Sequence, residues 1–228
     1  MQCVILAAGR GTRLGNCTDE IPKPMLRINN KPVLQYALEQ LPEEVDQVIF
    51  VVGWLGEQIK EYFSDNFLNK KIIYIEQKDR LGTGHALHMC KDILRDRFLV
   101  MMGDDVTEKN DLEKCLQHDL CLLAYEKLDP QSVSKTVDEA RVSPDSTLVA
   151  IAPKPEGAES YLMNVGLYVL DERFFDYDLV KIPSGEFGLP QTLAVMAKDY
   201  PVYVEKASFW LPLNTERDLE RIRKHFLK

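Results

Sequence analysis

Six apolar residues, Cys3-Val4-Ile5-Leu6-Ala7-Ala8, run without a break into Gly9-Arg-Gly-Thr-Arg-Leu14, and Lys23 follows in Ile21-Pro-Lys-Pro-Met25. An apolar run of that length bounded by glycine reads as a strand, here Gln2 to Ala7, that empties into a flexible loop. Glycines let the backbone approach a ligand closely enough to aim N–H groups at anionic oxygens, and Arg13 and Lys23 add full positive charges. Such a loop is suited to phosphate. Taken alone, the glycines are better read as a tight strand-to-helix turn with two solvated cations.

Of two common phosphate motifs, the P-loop is excluded and the dinucleotide fingerprint fits weakly. No Gly-Lys-Ser/Thr follows at the spacing of a P-loop. A dinucleotide fingerprint would need a small residue where Leu14 stands, and the second strand, Gln47 to Val52, would need an acidic residue where Gly53-Trp54 follows.

Beyond the loop, short apolar runs alternate with helical patterns, the signature of a mostly parallel, mixed sheet with helices on both faces. Strands are expected at Gln2 to Ala7, Gln47 to Val52, Lys71 to Glu76, Phe98 to Met102, Leu120 to Tyr125, Leu148 to Ala152, Asn164 to Leu170 and Val202 to Glu205. Helices are expected at Pro32 to Leu41, Leu55 to Phe63 and Thr83 to Arg95, with a last one opened by Thr215 and Asp218 as an approximate capping box. Asp129 to Ser146, rich in Asp and Ser, reads as an insertion or lid. Neither repeat nor linker divides the 228 residues, so one domain over 1–228 is expected.

Charge and cysteines narrow the class. A net charge of −8 argues against a general nucleic-acid surface and leaves the amino-terminal cations as a local feature. Five cysteines without paired spacing read as reduced cytosolic thiols and offer no metal-ligand set. With no membrane-length apolar run and a strand from Gln2, a cytoplasmic protein without a leader is expected. Assembly into a homo-oligomer is left open.

At Met101-Met-Gly-Asp-Asp105 a second strand ends in two carboxylates. Ligands of open α/β sheets bind beyond the carboxyl ends of the strands, so Asp104 and Asp105 should face the same crevice as the glycine loop. Hard oxygen ligands suit Mg²⁺, although an Asp pair at a turn is, in isolation, better read as a helix cap.

Leu6-Ala-Ala-Gly-Arg-Gly-Thr-Arg-Leu14, Pro22-Lys-Pro-Met25 and Asn30-Lys-Pro32 together resemble the signature of the sugar-phosphate nucleotidyltransferases, which join a nucleoside triphosphate to a sugar 1-phosphate and release pyrophosphate. The resemblance implies a three-layer, Rossmann-like (GT-A-like) nucleotidyltransferase fold. It places Leu6, Ala7, Ala8 and Gly9 along the nucleotide, wraps Gly11, Thr12 and Arg13 around its phosphates, and makes Arg13 and Lys23 the catalytic cations. Asp104 matches the family's metal ligand, hence a Mg²⁺ cofactor.

Gln77 followed by Leu81-Gly-Thr-Gly-His-Ala86 is similar to the family's base loop, most closely that of the uridylyltransferases. It implies nucleotide contacts from Gln77, Gly82 and Thr83. Gln77, able to donate and accept together, fits the imide edge of uracil or thymine, so UTP or dTTP is expected. His85 is read as capping or packing. Lys154, Asn164, Gly166 and Glu186 match the family's contacts to the sugar phosphate and hydroxyls.

The departures from the pattern are Asn16, Pro153, Pro190-Gln191 and Pro212, the last standing where the family's second metal-binding Asp is common. Asn214 is the candidate replacement, equally readable as a helix-entry residue. An appended β-helix is not expected, so no acetyl transfer is implied. Chemically, a phosphate monoester is mostly ionised at pH 7 and needs no general base, so cations replace a catalytic triad. A guanylyl- or cytidylyltransferase, a GT-A glycosyltransferase and an inactive nucleotide-sugar sensor are the alternative readings.

Overall fold

The run behind the glycine loop is strand β1 (Gln2–Ala7) in the computed structural model, which describes residues 1–127, 138–153 and 160–226. Its side chains divide between two cores: Cys3, Ile5 and Ala7 belong to one, Val4 and Leu6, with the following Ala8, to the other. A strand covered on both faces has no solvent side for polar residues, which explains the unbroken apolar run.

The chain continues through a small hairpin, β2 (Arg27–Ile28) and β3 (Lys31–Pro32), into α1 (Val33–Glu39), β4 (Gln47–Val52) and α2 (Gly56–Phe63). Next come β5 (Asn66–Phe67), β6 (Lys70–Glu76), α3 (Thr83–His88), β7 (Arg97–Met102), β8 (Asp105–Thr107) and α4 (Lys109–Cys115). The remainder is β9 (Cys121–Lys127), β10 (Asp138–Val142), β11 (Leu148–Pro153), β12 (Tyr161–Asp171), α5 (Leu189–Met196), β13 (Tyr203–Lys206), β14 (Trp210–Pro212) and α6 (Glu216–Phe226).

The main sheet runs in the order β11-β10-β12-β7-β1-β4-β6-β5. Its centre, β7-β1-β4-β6, is parallel, while β12 joins β7 antiparallel. Helices α1, α2 and α4 cover one face through Leu34, Leu38, Ile59, Phe63, Leu112 and Cys115; α3 and α5 cover the other through Ala86, Leu87, Leu193 and Met196. This is the three-layer, mostly parallel mixed sheet expected. A third cluster, Leu14, Ile28, Val33, Val106, Leu211, Leu213, Leu219 and Ile222, lies under the glycine loop and fastens α6 to it.

All eight expected strands form, with ends shifted by a few residues. Other expectations need correction. The glycine loop leads into 3-10 turns over Thr12–Thr18, because Gly15 adopts φ 54° and ψ −135° and breaks any continuous helix there. Helix α3 ends at His88, short of Arg95, and the chain continues in turns. Asp129 to Ser146 is not wholly loop: β10 pairs with β11 and β12, whereas 128–137 lies outside the described residues. Helices α4 and α5 escaped the sequence reading. The capping box holds: Thr215 Oγ1 accepts from the Asp218 N–H at 3.2 Å and Asp218 Oδ2 accepts from the Thr215 N–H at 2.9 Å.

Candidate active site

Parallel pairing of β1 with β7 sets Leu6 beside Met102, and the Gly103 N–H donates to the Leu6 carbonyl at 2.9 Å. The two strands therefore end side by side, and the glycine loop and Asp104 open onto one cleft of about 400 Å³. Leu6, Ala7, Ala8, Gly9, Gly11 and Lys23 form one wall of it. Gln77, Gly82, Thr83 and Glu186 form the other. A smaller recess, bounded by Gly11, Thr12, Arg13, Lys23 and Asn214, shares Gly11 and Lys23 with the first.

The glycines have distinct duties. Gly11 sits at φ 71°, and a Cβ there would lie 2.9 Å from Lys23 Cβ, so its bareness lets the lysine stem lie across the loop. A Cβ on Gly9 would meet nothing within 4 Å; that open space belongs to the cleft.

Lys23 is the hub. Its ammonium ion-pairs with Asp104 Oδ2 and donates to Asn214 Oδ1 at 3.3 Å. Asn214 arrives there because β14 pairs antiparallel with β8 and the Leu213 N–H donates to the Asp104 carbonyl at 3.1 Å. The Asn214 backbone N–H is bound to Asp218 Oδ2 at 3.2 Å, so the residue both enters the helix and lends its amide oxygen to a cation. Asp111, a buried carboxylate on α4, anchors the approach to β14 by accepting from the Ser208 N–H at 2.7 Å, the Ser208 hydroxyl at 2.8 Å and the Phe209 N–H at 3.3 Å.

Two oxygens that converge on an ammonium form a cation-seeking spot. No set of three or more His, Cys, Asp or Glu side chains able to hold a metal by themselves occurs among the described residues. One carboxylate and one amide oxygen instead fit Mg²⁺, which completes its shell with water and substrate phosphates. Asp105 is differently placed: burial, then the adjacent Asp104 carboxylate, pushes its carboxyl well above the usual range, and the Trp210 indole N–H donates to it at 3.1 Å.

The base loop is stitched to the segment carrying Glu186. The Phe187 N–H donates to the Leu81 carbonyl at 2.7 Å, the Gly84 N–H to the Phe187 carbonyl at 2.9 Å, and the Leu189 N–H to Thr83 Oγ1 at 3.1 Å. Gly82, at φ 99°, could carry no side chain, since a Cβ would stand 2.5 Å from the Phe187 carbonyl oxygen. Gln77, buried, spends both amide hydrogens within the loop, on the Gly82 carbonyl at 3.1 Å and on His85 Nδ1 at 3.0 Å. That corrects the expectation that Gln77 donates and accepts together: in this arrangement it offers its oxygen alone.

Asn164 and Gly166 line neither recess. Asn164 closes a bulge in β12, its Oδ1 accepting from the Gly166 N–H at 3.0 Å and its Nδ2 donating to the Tyr168 hydroxyl at 2.8 Å. Lys154 lies outside the described residues. Arg80, Asp138 and Gln191 also line the cleft, and the sequence reading gave none of them a role in the site. Arg80 also sits over the Trp54 ring at 6.0 Å. Asp138, its carboxyl raised by burial, accepts from Gln191 Nε2 at 2.7 Å. Gln191 had stood out as a departure from the family, whereas nothing local in the sequence marks Asp138.

The chain belongs to the nucleotidyl transferase family, whose pattern matches residues 2–226. It is 31% identical over 230 residues to the bifunctional protein GlmU of Methanocaldococcus jannaschii, covering 100% of this chain and 54% of that protein. It is 33% identical over 177 residues to the D-glycero-alpha-D-manno-heptose 1-phosphate guanylyltransferase of Campylobacter jejuni, covering 77% of this chain and 78% of that one. Among solved structures, HddC from Yersinia pseudotuberculosis superimposes with a TM-score of 0.75 at 26% identity, over 99% of both chains. The chain thus spans about half the length of the GlmU relatives it matches. No helix among the described residues is long and apolar enough to cross a membrane.

Proposed function

We propose that this chain is a nucleotidyltransferase that transfers a nucleotidyl group from UTP or dTTP to a sugar 1-phosphate, giving a nucleoside diphosphate sugar and pyrophosphate. The observation that carries the reading is the meeting of Lys23 with Asp104 and Asn214 beside the Gly11 loop. The acceptor phosphate is mostly ionised at pH 7, so the obstacle is repulsion between two anions and no general base is required. Lys23 and Arg13 offset that repulsion, align an in-line attack on the α-phosphorus and stabilise charge on the departing pyrophosphate. Mg²⁺ held by Asp104 and Asn214 with substrate oxygens would supply further charge neutralisation. Glu186 meets sugar hydroxyls and Lys154 the sugar phosphate in this scheme. Residues 1–228 act as one cytoplasmic nucleotidyl-transfer domain.

The Gln77 oxygen supports the base preference. It accepts from N3–H of uracil or thymine and meets a lone pair at N3 of cytosine. Guanine also presents a ring N–H, and HddC has been solved with GMP-PN (TM-score 0.74, 26% identity). Guanylyl transfer is therefore the second reading. Incubation with Mg²⁺, each of UTP, dTTP, CTP and GTP, and a panel of sugar 1-phosphates, with pyrophosphate measured, tests both. A preference for CTP overturns the base assignment. Failure to release pyrophosphate with every pair overturns the activity in favour of a glycosyltransferase or a nucleotide-sugar sensor.

A further inference from the structure

Gln77 stands at the mouth of α3 with its backbone N–H tied to the Val52 carbonyl at 2.8 Å, and the residue is 4% exposed. The amide has two hydrogens and one oxygen to dispose of. One hydrogen goes to the Gly82 carbonyl at 3.1 Å, an atom that can only accept, so the nitrogen and not the oxygen faces it. That carbonyl already accepts the Ala86 N–H at 3.1 Å, which holds it in place as part of the helix entry. The second hydrogen points at His85 Nδ1, 3.0 Å away. The amide nitrogen can only donate, so in this contact Nδ1 is the acceptor.

We infer that His85 is a positioning residue for base selection: by consuming the second amide hydrogen of Gln77 it leaves only the amide oxygen for the nucleotide base. The inference rests on the reading that Gln77 meets the base. With both hydrogens spent, a base must donate to be accepted. At the ring-nitrogen position uracil, thymine and guanine each present an N–H, whereas cytosine presents a lone pair there and reaches the amide oxygen only by shifting to offer its exocyclic N4–H₂. Without an acceptor at position 85 one N–H of Gln77 is released, and that hydrogen is what cytosine N3 requires. Sites built to pair with a specific donor discriminate strongly because the wrong partner leaves a buried group unmet.

The test compares kcat/KM for the preferred nucleotide with that for CTP in the parent, His85→Ala, His85→Asn and Gln77→Ala, with thermal unfolding as a check on folding. Asn is chosen because its side-chain oxygen can accept near the place of Nδ1. The expected result is a fall of about tenfold or more in the ratio for His85→Ala, mostly in the KM values, and for Gln77→Ala, with His85→Asn close to the parent. Loss of selectivity in Gln77→Ala with full selectivity in His85→Ala overturns the inference and leaves the base reading standing. Unchanged selectivity in Gln77→Ala, or a parent that prefers CTP, overturns both. A second measurement needs no loss-of-function variant: long-range ¹H–¹⁵N correlation of the four histidines, with His85→Asn giving the assignment, should show Nδ1 of His85 unprotonated at neutral pH. A proton on Nδ1 overturns the inference.

Discussion

Lys23→Ala separates the two duties of the lysine, because they differ in size and in sign. The side chain is 13% exposed and its partner Asp104 24%, so the pair is half-screened and worth about 0.2–1 kcal/mol to the fold. In a chain of this length each kcal/mol moves the melting temperature by about 2–4 °C, so thermal unfolding should fall by no more than that. Turnover should fall by about 10²- to 10³-fold, the usual consequence of removing one group that stabilises transition-state charge. The metal dependence should move the other way. Lys23 holds the two oxygens proposed for Mg²⁺, so its removal relieves a competing cation, and half-saturation should occur at lower Mg²⁺ than in the parent. Pyrophosphate release at saturating substrates, Mg²⁺ titration and thermal unfolding on one preparation read all three. Near-parental turnover would make Lys23 a structural cation. A raised Mg²⁺ requirement would show that the lysine and the metal do not share Asp104 and Asn214.

Asp104→Asn should abolish turnover at any practical Mg²⁺ concentration, whereas Asn214→Ala should raise the Mg²⁺ requirement and lower turnover mildly; an Asn214→Ala enzyme that titrates like the parent would leave Asn214 as a helix-entry residue. Gly82→Ala places a side chain at φ 99° and ψ 176°, a region costing about 1–3 kcal/mol, and 2.5 Å from the Phe187 carbonyl oxygen. Lower thermal stability together with a raised nucleotide KM is expected, and a parental KM would refute the stitched base loop. For Asp111, burial raises the carboxyl, but the bonds from Lys114, Ser208 and Phe209 outweigh it and hold it below the usual range. A depressed folded value stabilises above the unfolded carboxylate pKa of about 4 and is lost as the pH falls through the folded value. Asp111→Ala should therefore cost about 3 kcal/mol at pH 7 in urea unfolding. The gap should narrow at pH 3, and a gap that does not depend on pH would refute the charge argument.

What the sequence disclosed followed from how local each signal is. β1, β4 and β7 are parallel strands buried on both faces, and the parallel β6 carries the apolar stretch Ile72 to Ile75 though it is only partly buried, so each is an apolar run legible without its neighbours. The phosphate loop and the Asp104 corner lie immediately after such strands, which made both legible too. Helix α4 has seven residues and no side-chain cap, and the region before it was read for its carboxylates. Helix α5 did carry a signal, Pro190 in its first turn after Gly188, that passed as a departure from the family pattern. The partners of Gln77 were hidden for another reason. Its side-chain bonds with Gly82 and His85 arise from the fold of the loop, and residue type alone says only that an amide can donate and accept.

Charge balance explains why the site needs more than its own side chains. Among the described residues the two adjoining recesses carry Arg13, Lys23 and Arg80 against Asp104, Asp138 and Glu186, three formal charges of each sign. A cleft neutral in sum does not by itself attract a triphosphate, and Lys23 is engaged with Asp104. Under the proposed reaction, nucleotide binding would exchange partners: phosphate oxygens would take the lysine, and the Asp104 carboxylate and Asn214 oxygen would be freed to hold a divalent metal, which would supply charge neutralisation there. Neither exchange is favourable alone, since a metal without phosphate competes against an ammonium, and phosphate without metal adds anions beside a carboxylate. Thermodynamic reciprocity then requires that Mg²⁺ and nucleotide each tighten the other's binding by the same factor. The departure at Pro212 fits this balance, because replacing a second carboxylate by an amide oxygen lowers the free site's hold on metal and makes the metal depend more on the phosphate that accompanies it.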